Sequence, residues 1–347
     1  MDFRSDNVAG AAPEILKALT EGAAGAVSSY GADPVTERLS EKMSALFGRE
    51  VATFPVATGT AANSLALSAL CPPYGSVYCH RDAHIQVDEC GAPEFYTGGA
   101  KLVLLDGPHG KIEPDRLTAA LAQSGQGEVH HVQPAALSLT QATEAGTIYR
   151  PDEVAALSEI AHTHGMAVHM DGARFANAVA HLDCDPADLT WRAGVDALSF
   201  GATKNGCMAA EAVVFFDPEK ARDFAFRRKR AGHLFSKSRF LSLQLDAYLE
   251  DGLWLRLASH ANAQAVRLAE GLSALPGLEL AHPVEANEIF VTLPAPVAEG
   301  LEEAGFRFYR WPDGTARLVM SFAADPAHID AFLDTAGTLV GRERLRA

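Results

Sequence analysis

The chain has 347 residues, of which 48% are apolar, enough for more than one core and too many for disorder to be its main state. It carries 29 basic against 44 acidic residues, a net charge of −15, which argues against a nucleic-acid scaffold or a binder of anionic membranes. The five cysteines are odd in number and form no C-x-x-C pair, and no apolar run approaches the roughly 18 residues of a membrane span, so a soluble cytoplasmic protein is expected.

After an irregular N-terminal arm, residues Pro13 to Thr20 and Pro34 to Leu46 read as helices, the second with Leu39, Met43, Leu46 and Phe47 on one stripe. Strands are expected at Val51–Phe54, Ser76–Cys79 and Leu102–Leu105, with a helix from Thr60 to Leu70 directly after the turn Ala57-Thr58-Gly59. A helix over Pro151–His164 precedes a buried strand at Met166–Met170, and two more strands follow at Val195–Phe200 and Ala212–Phe216. Such alternation predicts an α/β fold with a mostly parallel sheet sandwiched by helices. From about Leu253 the pattern changes to a long helix, a strand at Ile289–Leu293, a helix near Pro296–Ala304, and strands around Phe306–Arg310 and Arg317–Phe322. The expected division is a large domain over 1–250 and a smaller C-terminal α+β domain over 251–347, with arm 1–12 touching the small domain. The basic run Arg227-Arg228-Lys229-Arg230 reads first as a solvated helix face.

Two strand ends carry chemistry. Strand Met166–Met170 runs into Asp171-Gly172-Ala173-Arg174, and strand Val195–Phe200 runs into Gly201-Ala202-Thr203-Lys204-Asn205-Gly206. In a parallel sheet both tips face one crevice. An Asp at one tip and a Lys after the next supply what pyridoxal phosphate requires, a partner for its pyridinium nitrogen and an amine for its imine. Gly201, Ala202 and Gly206 leave room for the cofactor, and the Thr203 hydroxyl offers a phosphate contact. The helix N-terminus at Thr58-Gly59-Thr60-Ala61 suits the cofactor phosphate, although by itself Thr58 is an ordinary N-cap.

Several further motifs join these in order. They are F-R-S-D-N at the N-terminus, Y-G-A-D-P at Tyr30 to Pro34, T-G-T-A-A-N at Thr58 to Asn63, and Ala83-His84 ahead of Glu89-Cys90-Gly91. H-M-D-G-A-R ending at Arg174, the Lys204 segment, and A-R-L-V-M at Ala316 to Met320 complete the set. Over nearly its whole length the chain resembles the L-threonine aldolases, of the low-specificity type, in the β-eliminating lyase superfamily. Their fold is the aspartate-aminotransferase-like one of pyridoxal-phosphate enzymes (fold type I).

The resemblance implies that Lys204 forms the covalent aldimine, that Asp171 pairs with the pyridine nitrogen, that Gly59 and Thr60 hold the phosphate, and that His84 stacks on the ring. It also implies that Ser5, Arg174 and Arg317 hold the substrate carboxylate and neighbouring cofactor oxygens, since planar guanidinium forks bind carboxylates bidentately. His84 could equally be a buried histidine, Arg317 a surface charge, Ser5 a turn residue, and Arg174 half of a structural ion pair. The activity so implied is retro-aldol cleavage of L-threonine, L-allo-threonine and related L-3-hydroxy-α-amino acids, phenylserine among them, to glycine and an aldehyde. His84, or a water it orders, is the expected base for the β-hydroxyl.

The family also leads to a homotetramer, a dimer of dimers with active sites at the subunit interface. Lys237 or Arg228 would then offer a cation to a neighbouring subunit's phosphate, and Tyr30 would cross over. In one departure, the loop Thr140 to Gly146 lacks a second histidine that some members carry; His130 and His131 lie shortly upstream. Phe235, Tyr30 and His131 are the expected wall on the aldehyde side. No metal is expected, because His80 and His84 flank a turn rather than share a helix face. Other pyridoxal-phosphate chemistry on the same fold, β-elimination or transamination, is the nearest rival; a non-catalytic protein that kept the fold is the remote one.

Overall fold

A computed structural model describes residues 1–346; Ala347, the last residue of the expected small domain, lies outside them. Two sheets organise the chain. The larger has seven strands: β1 (Ala52–Val56), β2 (Gly75–His80), β3 (Lys101–Leu105), β4 (Gln133–Thr140), β5 (Ala167–Gly172), β6 (Ala197–Gly201) and β7 (Glu211–Phe215), in the spatial order β1-β7-β6-β5-β4-β2-β3. All pairings are parallel except those of β7, which runs against both β6 and β1. The reversal brings Glu211 opposite Gly201 and Val56, so the first residue of β7 lies at the edge where its neighbours end.

The strands are apolar on both faces, as a sheet covered on both sides requires. Along β7, Ala212 and Val214 enter the large core while Val213 and Phe215 enter the smaller cluster on the opposite face. That second cluster is built around the helix Gly59–Leu70, buried without a break from Ala61 to Ser68, which makes it a central rather than a surface helix.

The second sheet has four antiparallel strands: β8 (Glu279–Leu280), β9 (Glu288–Thr292), β10 (Tyr309–Arg310) and β11 (Thr315–Val319), ordered β10-β11-β9-β8. It packs with the helices Ala295–Glu303 and Pro326–Arg346 around its own core, which includes Ile289, Leu318 and Phe332. The long helix Leu253–Ser273 serves both cores, giving Leu253, Trp254 and Ala258 to the large one and Ala265, Leu268 and Leu272 to the small one.

The expected strand over Phe306–Arg310 is corrected to the two residues of β10. Upstream, Phe306 and Phe308 still point into the small core, but Arg307 pairs its backbone with the N-terminal arm: Arg307 N donates to Met1 O at 2.9 Å, and Phe3 N donates to Arg307 O at 2.7 Å. The Phe3 ring is buried in that core too, against Phe306 and Phe332. The reading of the basic run as a solvated face is corrected at one position: Arg228, in the helix Phe224–Arg230, is 6% exposed and lies over the Phe54 ring.

Candidate active site

The carboxyl edge of the large sheet opens into a cavity of about 350 Å³, and Lys204 stands where it meets a second, outer cavity of about 790 Å³. Asn7, His84, Glu144 and Arg174 line both as well.

At one end of the inner cavity lies the start of the helix Gly59–Leu70. Thr58 caps it, accepting from Ala61 N at 3.2 Å, and leaves the first amides, at Gly59 and Thr60, without an intrahelical carbonyl. Both residues line the cavity, and a Cβ on Gly59 would meet nothing within 4 Å, so the approach is open. An anion of phosphate size fits this end. Arg228, also expected to offer a cation to a phosphate, lines neither cavity; its Nε has no hydrogen-bond partner, and burial lowers its pKa to about 10.

In the middle, a chain of hydrogen bonds links four side chains. Asn63 donates to Asp171 Oδ2 and to Glu89 Oε1, both at 2.8 Å, and Glu89 Oε1 meets His84 Nδ1 at 2.8 Å. The Glu89 hydrogen bond raises the His84 pKa against the opposing effect of burial. Burial raises Glu89, against the hydrogen bond from His84. Asp171 Oδ1 accepts from Ala173 N at 3.0 Å, which fixes the carboxylate. Beneath it, His169 is held between Ser138 Oγ at 2.9 Å and Ser199 Oγ at 3.0 Å; burial lowers its pKa to about 4, so it stays neutral at physiological pH.

The Lys204 turn, Thr203–Asn205, is clamped on every side. Asn205 Nδ2 donates to Tyr248 Oη at 2.6 Å and to Trp254 O at 2.8 Å, and Ala202 N donates to Glu211 Oε2 at 2.7 Å. Burial raises the Glu211 carboxyl to about 7, against its hydrogen bond to Thr203. The Thr203 hydroxyl accepts from Ala210 N at 3.1 Å, and Thr203 lines the inner cavity. Gly201 is required here by close approach, since a Cβ would lie 2.6 Å from the carbonyl oxygens of both Gly172 and Ala173.

Of the two arginines expected to clamp a carboxylate, Arg174 is already engaged. At 6% exposure its Nε and Nη2 donate to Asp6 at 2.8 and 3.1 Å, and its Nη1 lies 3.1 Å from Glu288 Oε2. A guanidinium this deep needs such compensation. Burial alone would lower Arg174, but the charges of Asp6 and Glu288 outweigh it and raise its pKa; burial would raise Asp6, but Arg174 outweighs it and the Asp6 pKa falls. Arg317 is the freer fork. It donates to Arg4 O at 3.2 Å, lies 3.9 Å from Glu288, keeps a buried Nε without a partner, and lines the outer cavity. Ser5 lines it too, while its hydroxyl accepts from Asn7 N at 3.1 Å as a helix cap.

The structure does not bring every expected residue to the crevice. His131, with its neighbour His130, precedes β4, whereas the crevice lies at Thr140 at the other end of that strand; at about 3.3 Å per residue the whole strand separates them. His131 instead lies against Gly125. Lys237 is exposed and lines neither cavity. Tyr30 is half exposed, with Lys229 over its ring at 4.6 Å, and also lies outside both walls. Phe235 stacks on His233, outside both cavities.

Sequence reasoning gave no role to Asn63, Glu89, Asp6, Glu144, Glu211 or Glu288, all now at or behind the site. Asn63 had a signal, as the one amide in an otherwise small and apolar helix. Among the described residues, no group of three or more His, Cys, Asp or Glu is placed to hold a metal ion, and no helix is long and apolar enough to cross a membrane.

The beta-eliminating lyase family model matches residues 2–296. A low specificity L-threonine aldolase of Pseudomonas aeruginosa is 47% identical over 324 residues, covering 93% of each chain. Another, from a Pseudomonas species, is 44% identical over 328 residues, covering 94% of each. Among solved structures, a Leishmania major threonine aldolase superposes with a TM-score of 0.92 at 28% identity, covering 98% of this chain and 99% of that one. The architecture is that of the fold type I pyridoxal-phosphate enzymes, and the chain belongs to the beta-eliminating lyase family, alongside the low-specificity L-threonine aldolases.

Proposed function

We infer that the protein is a pyridoxal-phosphate-dependent carbon–carbon lyase that cleaves L-threonine, L-allo-threonine and related L-3-hydroxy-α-amino acids to glycine and an aldehyde. The observation that carries this reading is one cavity walled by Lys204, by Asp171 on its Asn63 support, and by an open helix N-terminus at Gly59 and Thr60. The donor set fits the cofactor: amides for the phosphate, a carboxylate for the ring nitrogen, and an amine for the aldehyde. When bound, pyridoxal phosphate supplies an imine-forming aldehyde and an electron sink.

The residues of the chain do the rest. Lys204 would hold the cofactor aldehyde through its amine, at the junction where both cavities open to the substrate. Asp171, its carboxylate aimed by Asn63 and by the Ala173 amide, would hold the proton on the ring nitrogen. His84 lines the inner cavity and, through its pairing with Glu89, is placed to accept the β-hydroxyl proton directly or through a water. Arg317, with unmet donor capacity, binds the substrate carboxylate, and Arg174 is held by Asp6 and Glu288 at the same junction. Holding the carboxylate would fix the orientation of the substrate, and with it which bond at Cα is presented for cleavage. Lys237 and Tyr30, which line neither cavity of their own chain, complete the cofactor or substrate site of a neighbouring copy in a cytoplasmic homotetramer with sites at the subunit interface.

The test is one sample. Purified protein reconstituted with pyridoxal phosphate is expected to show a visible absorption band, and on adding L-threonine without any keto acid, to release glycine and acetaldehyde in equal amounts. A band without glycine transfers the reading to elimination or transamination; no band removes the Lys204 assignment.

A further inference from the structure

The loop after β4 holds one carboxyl without a hydrogen-bond or ion-pair partner among the described residues. Gln141 to Tyr149 form a turn whose residues are buried and paired. Gln141 Nε2 donates to Tyr149 O at 2.8 Å, and the Thr143 and Thr147 hydroxyls lie 2.8 Å apart, both bonded to His109 O. Gly146, at φ +74°, brings the turn so close to β9 that a Cβ there would lie 3.0 Å from Glu288 O. Ile148 N donates to Glu285 Oε2 at 2.8 Å.

Glu144 is the exception in this turn. It is only half-buried, lines both cavities, and among the described residues its carboxyl has no hydrogen-bond or ion-pair partner. The charged groups acting on it are Lys204 and Arg174, which attract, Asp171, which repels, and His84. Burial raises its pKa, and Lys204 and Arg174 oppose the rise. A turn whose other polar side chains, Gln141, Thr143, Thr147 and Tyr149, are all hydrogen-bonded thus presents one free acceptor to the junction of the two cavities, within the field of the lysine that anchors the chemistry.

We propose that Glu144 accepts the hydrogen bond of the substrate β-hydroxyl and thereby sets the preference between the two configurations at Cβ. The inference rests on the retro-aldol reading above and adds to it a specificity-determining residue. With His84 and Glu144 both on the wall, a hydroxyl in either configuration has an acceptor, and removing one acceptor changes the balance between them.

The experiment compares wild-type holoenzyme with Glu144→Gln, which keeps the shape of the side chain, and Glu144→Ala. Two quantities are read: the ratio of kcat/KM for L-threonine to that for L-allo-threonine, and the dissociation constants of L-serine and L-alanine by titration calorimetry. Those two probes differ only in the hydroxyl. The expected result is a ratio displaced by about tenfold and L-serine binding weakened about tenfold, with L-alanine within about twofold of wild type. A ratio within about twofold of wild type, or an equal loss for serine and alanine, overturns the proposal. If wild-type enzyme forms no glycine from threonine, the retro-aldol reading fails on its own, and the serine and alanine constants still decide whether Glu144 receives a β-hydroxyl.

Discussion

Single side chains differ in what their loss removes. Lys204 is the only lysine on the walls of either cavity among the described residues, and Lys204→Ala is expected to abolish both turnover and the visible band of the loaded protein. His84→Ala should keep the cofactor and slow glycine release by about 10²–10⁴-fold, the usual worth of a positioned base. The pair His84–Glu89 makes a sharper prediction. The Glu89 carboxylate raises the His84 pKa, so in Glu89→Gln the imidazole loses its proton at a lower pH. If neutral His84 accepts the β-hydroxyl proton, the acidic limb of the pH profile of kcat/KM moves to lower pH in that variant. An unmoved limb removes His84 from the role. Much of this site was legible in the sequence, because Asp171, Lys204 and Gly59 each sit at the end of an apolar run or the start of a helix. Glu89 and Glu144 were not, since a carboxyl in a turn looks like a solvated one until the turn is seen to be buried.

At the level of elements, the crevice depends on how closely two strand ends approach. The tips of β5 and β6 meet so tightly at Gly201 that an added methyl would strike two carbonyl oxygens, neither of which can swing away as a side chain could. Gly201→Ala is therefore expected to lower stability and shift the Lys204 turn, read as a fall in melting temperature together with weaker cofactor retention. A melting temperature and cofactor affinity equal to wild type would show that the strand tips are free to part. The strands the sequence named for the large sheet lay within a residue or two of where their apolar runs place them, Met166–Met170 becoming Ala167–Gly172, and the helix Pro34–Leu46 stood unchanged, but the central strand Gln133–Thr140 was given no range. The segment at Phe306–Arg310 departed because its backbone partner is the N-terminal arm, some 300 residues away in sequence, and no local pattern announces such a pairing.

Across the whole molecule, Arg174 ties together three segments that lie far apart in the sequence. Asp6 comes from the arm, Arg174 from the end of β5, and Glu288 from the start of β9 in the small sheet. Asn287 adds a hydrogen bond to Asp6 Oδ2 at 3.0 Å. Breaking such a buried pair costs about 3–5 kcal/mol, and Asp6→Asn is expected to destabilise on that scale at neutral pH. The sign with pH follows from the lowered Asp6 pKa. Its contribution is fully present above the ordinary aspartate value of 3.8 and is lost as the pH falls through the lower value it has in the folded protein. The variant should therefore differ most from wild type near neutrality and converge with it in acid, measured as urea midpoints over a pH series. A constant difference at every pH would mean that the ion pair is not what holds the three parts together.

The outer cavity invites use as a design handle. Its far wall is made of Phe290, Tyr309 and Trp311 from the small sheet with His109 and His282, whose rings meet across the gap with nitrogens 3.0 Å apart. None of these five belongs to the clamp that holds Lys204, to the hydrogen-bond chain behind His84, or to the Arg174 ion pairs. Trp311 is also more than 40% exposed, so exchanging it leaves both cores intact. A combinatorial library restricted to His282, Phe290 and Trp311, leaving Tyr309 under the Arg317 guanidinium and His109 under the Thr143 and Thr147 hydroxyls, would reshape the outer cavity while Lys204, His84 and Arg317 keep their surroundings.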